Sequence, residues 1–211
     1  MTALLATRMA EADAAAVADA ARVLAAGGLA AFPTETVYGL GADATNGAAI
    51  ARLYAAKGRP AFNPLIAHVA DVAAAKRLAR FDANAARLAK AFWPGPLTLV
   101  LPKAAGCTVA DLATAGLDTI ALRVPSHKVA RDILAAFGKP VVAPSANRSG
   151  HVSPTRAEHV AADLGGRIDL IVDGGPAPGG PPSSIVEIVD GVPKLHRAGA
   201  TPWDRVLRCL Q

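Results

Sequence analysis

The stretch Leu29-Ala30-Ala31-Phe32-Pro33 and its continuation, Thr34-Glu35-Thr36-Val37-Tyr38-Gly39-Leu40-Gly41, begins apolar and turns polar at a proline. A short apolar run that stops at a proline reads as a strand, and the Thr/Glu/Gly segment behind it as a loop. Beyond it, Ile50, Leu53, Tyr54 and Lys57 recur on one helical face before Gly58, so the unit is strand, loop, helix. Upstream, Val17, Ala20, Ala21 and Leu24 fall at helical spacing within residues 11–26, and Gly27-Gly28 supply the stop.

The same alternation runs downstream. Strands are expected at 65–69, 97–101, 119–124, 141–143, 168–172, 185–189 and 193–196, and helices at 72–80, 83–92, 128–137 and 156–164. The fold class is therefore α/β. Only Asp190-Gly191 separates the last two strands, a hairpin signal, so a mixed sheet fits better than a fully parallel one. The Pro/Gly-rich segment 174–182 is the one strong loop and is too short for an interdomain tether.

A chain of 211 residues suits one domain. Its 52% apolar and 18% charged residues exclude a disordered chain, and the 4% aromatic content calls for a core of small aliphatic side chains. The net charge of +5 and pI near 9.6 favour phosphate-rich partners. Lys76, Arg77, Arg80, Arg87 and Lys90 face only Asp82, which leaves two readings open, a solvated helical face and a contact for RNA phosphates. No apolar run reaches the ~18 residues a membrane span needs, and Met1–Ala10 lacks the apolar region of a secretory signal. A soluble, cytoplasmic protein with no membrane partner is expected. Cys107 and Cys209 have no CxxC partner and read as inert thiols, and the five histidines form no i,i+4 pair for a helix-borne metal site.

The polar residues gather in loops at strand ends, where α/β folds bind ligands. Residues 33–41 offer hydroxyls, one carboxylate and two glycines; as an alternative they are a capped turn. Lys57-Gly58-Arg59-Pro60-Ala61-Phe62-Asn63-Pro64 places two cations at a helix end, able to grip a polyphosphate or simply to complement the helix dipole. Pro94-Gly95-Pro96 is a rigid turn. Arg123-Val124-Pro125 ends a strand with a cation suited to a carboxylate, with a structural salt bridge as the competing account. Pro144-Ser145-Ala146-Asn147-Arg148-Ser149-Gly150, followed by Ser153-Pro154-Thr155, supplies small donors for phosphate and ribose oxygens. There is no Walker-type loop, no Rossmann glycine fingerprint and no nucleophile elbow, so a nucleotide would have to be held in another way.

In this order the loops resemble the YrdC-like family, whose best-defined members are L-threonylcarbamoyladenylate synthases. The resemblance runs from about Ala10 to Gly199. It rests on Pro33–Leu40, on Lys57-Gly58-Arg59-Pro60 with Asn63-Pro64-Leu65 and His68, and on Trp93–Thr98. It continues through Leu122–Pro125, Pro144–Asn147, Ser149-Gly150 with Ser153-Pro154-Thr155, and Arg197. It implies a twisted mixed sheet with flanking helices around a large basic cavity. The implied activity joins L-threonine, bicarbonate and ATP into threonylcarbamoyl-AMP with release of pyrophosphate. Partner proteins of the family then use that product to modify tRNA, and tRNA or double-stranded RNA is a further implied contact.

By the same resemblance, Thr36, His68, Arg123, Ala143 and Ser183 contact threonine. Lys57, Arg59, Asn63, Thr119, Ser145, Asn147, Ser153 and Arg197 contact ATP or the adenylate, with Lys57 and Arg59 as the catalytic cations and Mg²⁺ on the ATP phosphates. No protein ligand for the metal is named. Two departures stand out: Arg197-Ala198-Gly199 replaces the family's Arg-Pro-Gly, and Ser183-Ser184, after Pro181-Pro182, replaces Ser-Thr. Residues 1–200 are expected to form the domain and 201–211 a tail, which is the start of a linker if the chain is part of a longer, two-domain relative. Two other functions compete: a non-catalytic RNA-binding module of this fold, and a carbamoyl-adenylate-handling enzyme related to hydrogenase-maturation carbamoyltransferases. The chain lacks the zinc-finger cysteines that accompany the domain in the latter.

Overall fold

The computed structural model describes residues 5–211; the part of the N-terminal reading that falls on residues 1–4 lies outside it. Ten strands are described: β1 (Arg8–Glu11), β2 (Ala30–Pro33), β3 (Tyr38–Asp43), β4 (Ile66–His68), β5 (Leu97–Pro102), β6 (Thr119–Arg123), β7 (Val141–Val142), β8 (Leu170–Asp173), β9 (Ser184–Val189) and β10 (Val192–Arg197). The helices are α1 (Ala14–Ala25), α2 (Gly47–Lys57), α3 (Val72–Leu78), α4 (Ala83–Phe92), α5 (Lys128–Phe137), α6 (Ala157–Leu164) and α7 (Trp203–Leu210), with a 3-10 turn at Asp111–Thr114.

The strands form one twisted mixed sheet in the order β1-β8-β2-β3-β7-β4-β6-β5-β9-β10. The pairs β1/β8, β2/β8, β4/β6 and β5/β9 are parallel and the others antiparallel. Side chains alternate between two cores, as the period of two requires. Ala30, Phe32, Leu170 and Val172 pack under α1 and α5, through Ala20, Leu24, Ile133 and Leu134. Ala31, Leu40, Leu99 and Leu122 face the second core, with Ile50 and Leu53 of α2 and Leu88 of α4.

The helix stops and the hairpin follow local chemistry. Gly27, just past the end of α1, and Gly58, the cap of α2, adopt positive φ, the region glycine enters without penalty. Asp190 and Gly191, at φ 52° and 77°, make the two-residue turn expected between β9 and β10.

Three stretches differ from the sequence reading. Residues 38–41, read as loop, belong to β3, whose residues are all buried between β2 and β7. Its glycines suggested a turn, but Gly41 lies where a Cβ would come within 2.8 Å of the Phe32 ring, so it serves close packing. Polar β1, on the sheet edge beside β8, has no apolar alternation to reveal it. Finally, residues 201–211, expected as a tail, carry α7, which runs along α4 and buries Val206. Arg205 stacks over the Phe92 ring and Arg87 donates to the Leu210 carbonyl. Among the described residues no helix is long and apolar enough to cross a membrane.

The packing of α7 makes a prediction that a free tail would not. Val206→Asp places an unpaired carboxylate in the core and is expected to lower unfolding free energy by more than about 2 kcal/mol in a urea titration. A change within about 0.5 kcal/mol would return 201–211 to the status of a tail.

Candidate functional site

A cavity of about 430 Å³ opens where β2 leaves for β3, where β4 and β6 end in His68 and Arg123, and where β7 runs into Ala143-Pro144-Ser145. Thr36, Arg59, His68, Arg123, Ala143, Ser145, Ser153, Ser183 and Arg197 line it, so nine of the sequence-predicted residues meet on one wall system. Another groove, of about 670 Å³, carries none of them.

The residues expected to contact threonine converge by register. His68 and Arg123 are direct partners across β4 and β6. His68 is 2% exposed, and its Nδ1 lies 3.2 Å from the Ile66 carbonyl. Burial, and then the Arg123 charge, push its pKa down to about 3, so it is a neutral imidazole near pH 7. Thr34 and Thr36 share a hydroxyl contact of 3.0 Å. Arg123 is buried, with Nη2 2.7 Å from a Glu35 carboxylate oxygen. Burial works to raise the Glu35 pKa, but the Arg123 guanidinium beside it, a local backbone donor and the His68 ring together hold the carboxyl below its usual range. The pair is close yet not aligned as a hydrogen bond, and Arg123 Nε is also buried without a partner. Glu35 sits behind Arg123 and is not on the cavity wall.

Arg197 reaches the cavity from the end of β10. It donates from Nε and Nη2 to the Ser183 carbonyl at 3.0 and 2.8 Å, and from Nη2 to Ser183 Oγ at 3.0 Å. Burial, then the charge of Arg123, lower its pKa. Beside Ala198 the backbone is closely held: a Cβ on Gly199 would come within 2.2 Å of the Pro182 carbonyl oxygen, and Ala200 N–H bonds that same oxygen at 2.8 Å. Ser183 Oγ is 2.9 Å from Thr98 Oγ1, whereas Ser184 is fully buried and bonds the Thr201 carbonyl. Of the two adjacent serines, the expected contact Ser183 lines the cavity, and Ser184 is tied into the surrounding backbone. The turn at 94–96 supports it, since the Pro96 carbonyl accepts from Ser184 N–H.

Four expected residues do not line the cavity. Lys57, expected as a catalytic cation, is 3% exposed and points under the 144–149 loop, where Nζ donates to the carbonyls of Ser145 and Asn147. Burial, and secondarily the Arg59 charge, push its pKa down to about 8, with Asp163 acting in the opposite sense. Asn147 turns its Nδ2 to the Arg148 and His151 carbonyls, both at 2.8 Å, leaving Oδ1 buried and unpartnered. Asn63 is exposed on the loop after α2, its carbonyl holding the Tyr54 hydroxyl at 2.7 Å. Thr119 begins β6 opposite Pro102, four residues from Arg123, which at ~3.3 Å per residue is roughly 13 Å away. A strand-end motif marks an approximate location; the sheet decides which end of the strand meets the cavity.

Sequence reasoning missed two residues that shape the site. Glu35 carried a weak signal as the single carboxylate of its loop. Asp163, on α6, carried none: it accepts from the Arg148 N–H and lies 2.7 Å from His151 Nδ1. Arg59 stays near the Pro64 carbonyl (3.3 Å) with its Nε buried and unpartnered. With Arg59, Arg123 and Arg197 against Glu35, this neighbourhood has an excess of two positive charges and suits an anion carrying more than one negative charge. Lys76, Arg77, Arg80, Arg87 and Lys90 are all exposed and lie outside it.

Lys57 gives a pH prediction. Its folded pKa lies below that of an unfolded lysine, so the unfolded chain binds more protons between about pH 8 and 10.5 and stability rises with pH there. Lys57→Met is expected to remove this part of the rise, read as the difference between variant and parent unfolding free energies across that window. Parallel curves would refute the buried, charged Lys57.

The comparisons with known proteins agree with this geometry. The family model described as Telomere recombination, which covers Sua5, YciO and YrdC, matches residues 22–199. Threonylcarbamoyl-AMP synthase of Pyrococcus abyssi is 47% identical over 192 residues, 90% of this chain and 56% of that protein. The Bacillus subtilis protein of the same name is 47% identical over 191 residues, 90% of this chain and 55% of that protein. The chain thus spans about half the length of the curated relatives it matches. The crystal structure of P. abyssi Sua5 complexed with L-threonine superimposes with a TM-score of 0.89 at 43% identity, covering 97% of this chain and 60% of that one. The chain whose arginines, histidine and serines meet in this cavity belongs to the Sua5/YciO/YrdC family.

Proposed function

We propose that the chain synthesises L-threonylcarbamoyl-AMP from L-threonine, bicarbonate and ATP. The observation that carries this reading is the shared wall of Thr36, His68, Arg123, Ser183 and Arg197, continuous with Arg59, Ser145 and Ser153. The names of the relatives and the threonine-bound Sua5 structure support it. The threonine carboxylate pairs with Arg123, and its polar groups meet neutral His68, Thr36 and Ser183 beside the small Ala143. The amine attacks the bicarbonate carbon and water leaves, forming an N-carboxylate. One of its oxygens then attacks the α-phosphorus of ATP, and the α–β bridging oxygen departs with pyrophosphate. Both steps gather negative charge, so catalysis is positioning and electrostatic stabilisation by Arg59 and Arg197.

Lys57 enters by shaping the Ser145–Asn147 backbone from below, and Asn147 by tying that loop together; Asn63 and Thr119 would need the ligand to extend beyond the cavity wall. Mg²⁺ would arrive with ATP. The nearby carboxylate, Glu35, is engaged with Arg123, so the ATP phosphates themselves would hold the ion. In the reading proposed here the product passes to partner proteins that modify tRNA, in the cytoplasm. Direct contact of RNA with the Lys76–Lys90 surface belongs to the same proposal, as a secondary role of an exposed basic face.

The test is pyrophosphate release with ATP, bicarbonate and threonine. Arg123→Ala is expected to raise the threonine KM roughly ten- to hundredfold with a smaller effect on ATP, and Arg59→Ala to lower kcat/KM for ATP by a similar factor. Absence of threonine-dependent release, with salt-sensitive RNA binding, would favour the non-catalytic module. Release driven by carbamoyl phosphate instead would favour the carbamoyl-adenylate reading.

A further inference from the structure

The loop that runs from Ser145 to Ser153 is held between two opposite charges from different helices. From α2, Lys57 Nζ donates to the carbonyls of Ser145 and Asn147, and the Lys57 carbonyl accepts from Ser149 N–H at 2.7 Å. From α6, the Asp163 carboxylate takes the Arg148 N–H with one oxygen and meets His151 Nδ1 at 2.7 Å with the other. Asn147 closes the loop internally by bridging the Arg148 and His151 carbonyls. The ammonium thus gathers carbonyls on one side while the carboxylate takes donors on the other. Asp163 itself does not line the cavity. The lysine arm belongs to a motif already implicated; the acidic arm does not.

We infer that Asp163 is a positioning residue: with Lys57 it clamps the 145–153 loop and so sets the placement of Ser145 and Ser153 toward the nucleotide. The inference rests on the reading of the cavity given under Proposed function. Asp163→Ala frees the Arg148 amide and the His151 ring, letting the segment between the serines shift. Placement of donors is sensitive to shifts of an ångström or less, so nucleotide affinity should suffer while the threonine end, built on β4, β6 and β9–β10, keeps its geometry.

The experiment compares the 211-residue chain with its Asp163→Ala and Asp163→Asn variants, using equilibrium dialysis of radiolabelled ATP and the threonine KM from pyrophosphate release. Asp163→Ala is expected to weaken ATP binding about tenfold while the threonine KM stays within about twofold, a split that general destabilisation would not produce. Asp163→Asn retains a carbonyl oxygen for the Arg148 amide and should fall between the two; it carries the test if the alanine variant does not fold. Unchanged ATP affinity, or equal losses for ATP and threonine, would overturn the inference. If the parent chain itself binds no ATP, the reading of the cavity fails. The clamp is then judged by trypsin cleavage after Arg148: faster cleavage in the variants supports a loop held by Asp163, and an unchanged rate refutes it.

Discussion

The Lys57 ammonium is buried under the 145–149 segment, and much of the site depends on that placement. Removing a lysine from water is unfavourable, as its depressed pKa records, and only partners at hydrogen-bond distance offset the cost. The Ser145 and Asn147 carbonyls provide them. A hydrogen bond to a charged group contributes about 1.5–3 kcal/mol, enough for two such bonds to hold a loop without secondary structure in one conformation. The same loop is stitched to β3, where Leu40 N–H bonds the Pro144 carbonyl and Ala146 N–H bonds that of Tyr38. The end of α2, the central strand and the phosphate-friendly loop are therefore one connected unit.

The other half of the cavity is organised by repulsion and its relief. Arg123 and Arg197 act on each other as like charges, and only Glu35 offsets them at close range. One buried and one solvent-exposed guanidinium with a single carboxylate leave a local positive excess that an anionic ligand can satisfy. The neighbouring His68 is kept neutral by burial and by the same arginine, so it can recognise without adding charge. Arg123 makes the structural salt bridge to Glu35 and still lines the cavity, so the ion pair does not take it out of reach of the carboxylate that the proposed function assigns to it.

The departures from the family pattern show how conformation can be held without the usual residue. Next to Ala198, which stands where the family has proline, Gly199 is pressed against the Pro182–Ser184 backbone, where no larger residue would fit. Arg197 then finds Ser183 through three hydrogen bonds. Two adjacent and buried serines are separated at the start of β9: Ser184 pairs with Leu97 of β5, while Ser183 lines the cavity.

Local chemistry determined a good deal. Apolar periodicity, helix stops and the Asp190-Gly191 turn located most helices and strands because each signal acts within a few residues, and the ordered loops pointed to the family and to nine residues that do meet. What local chemistry could not determine was direction and partnership. Whether Lys57 would point into the cavity or beneath its loop depended on carbonyls roughly ninety residues away. Whether residues 38–41 formed a loop or a buried strand depended on Phe32 across the sheet, and whether 201–211 trailed off or packed depended on α4. Asp163 had no signature of its own, since its role comes only from the donors that the tertiary fold brings to it.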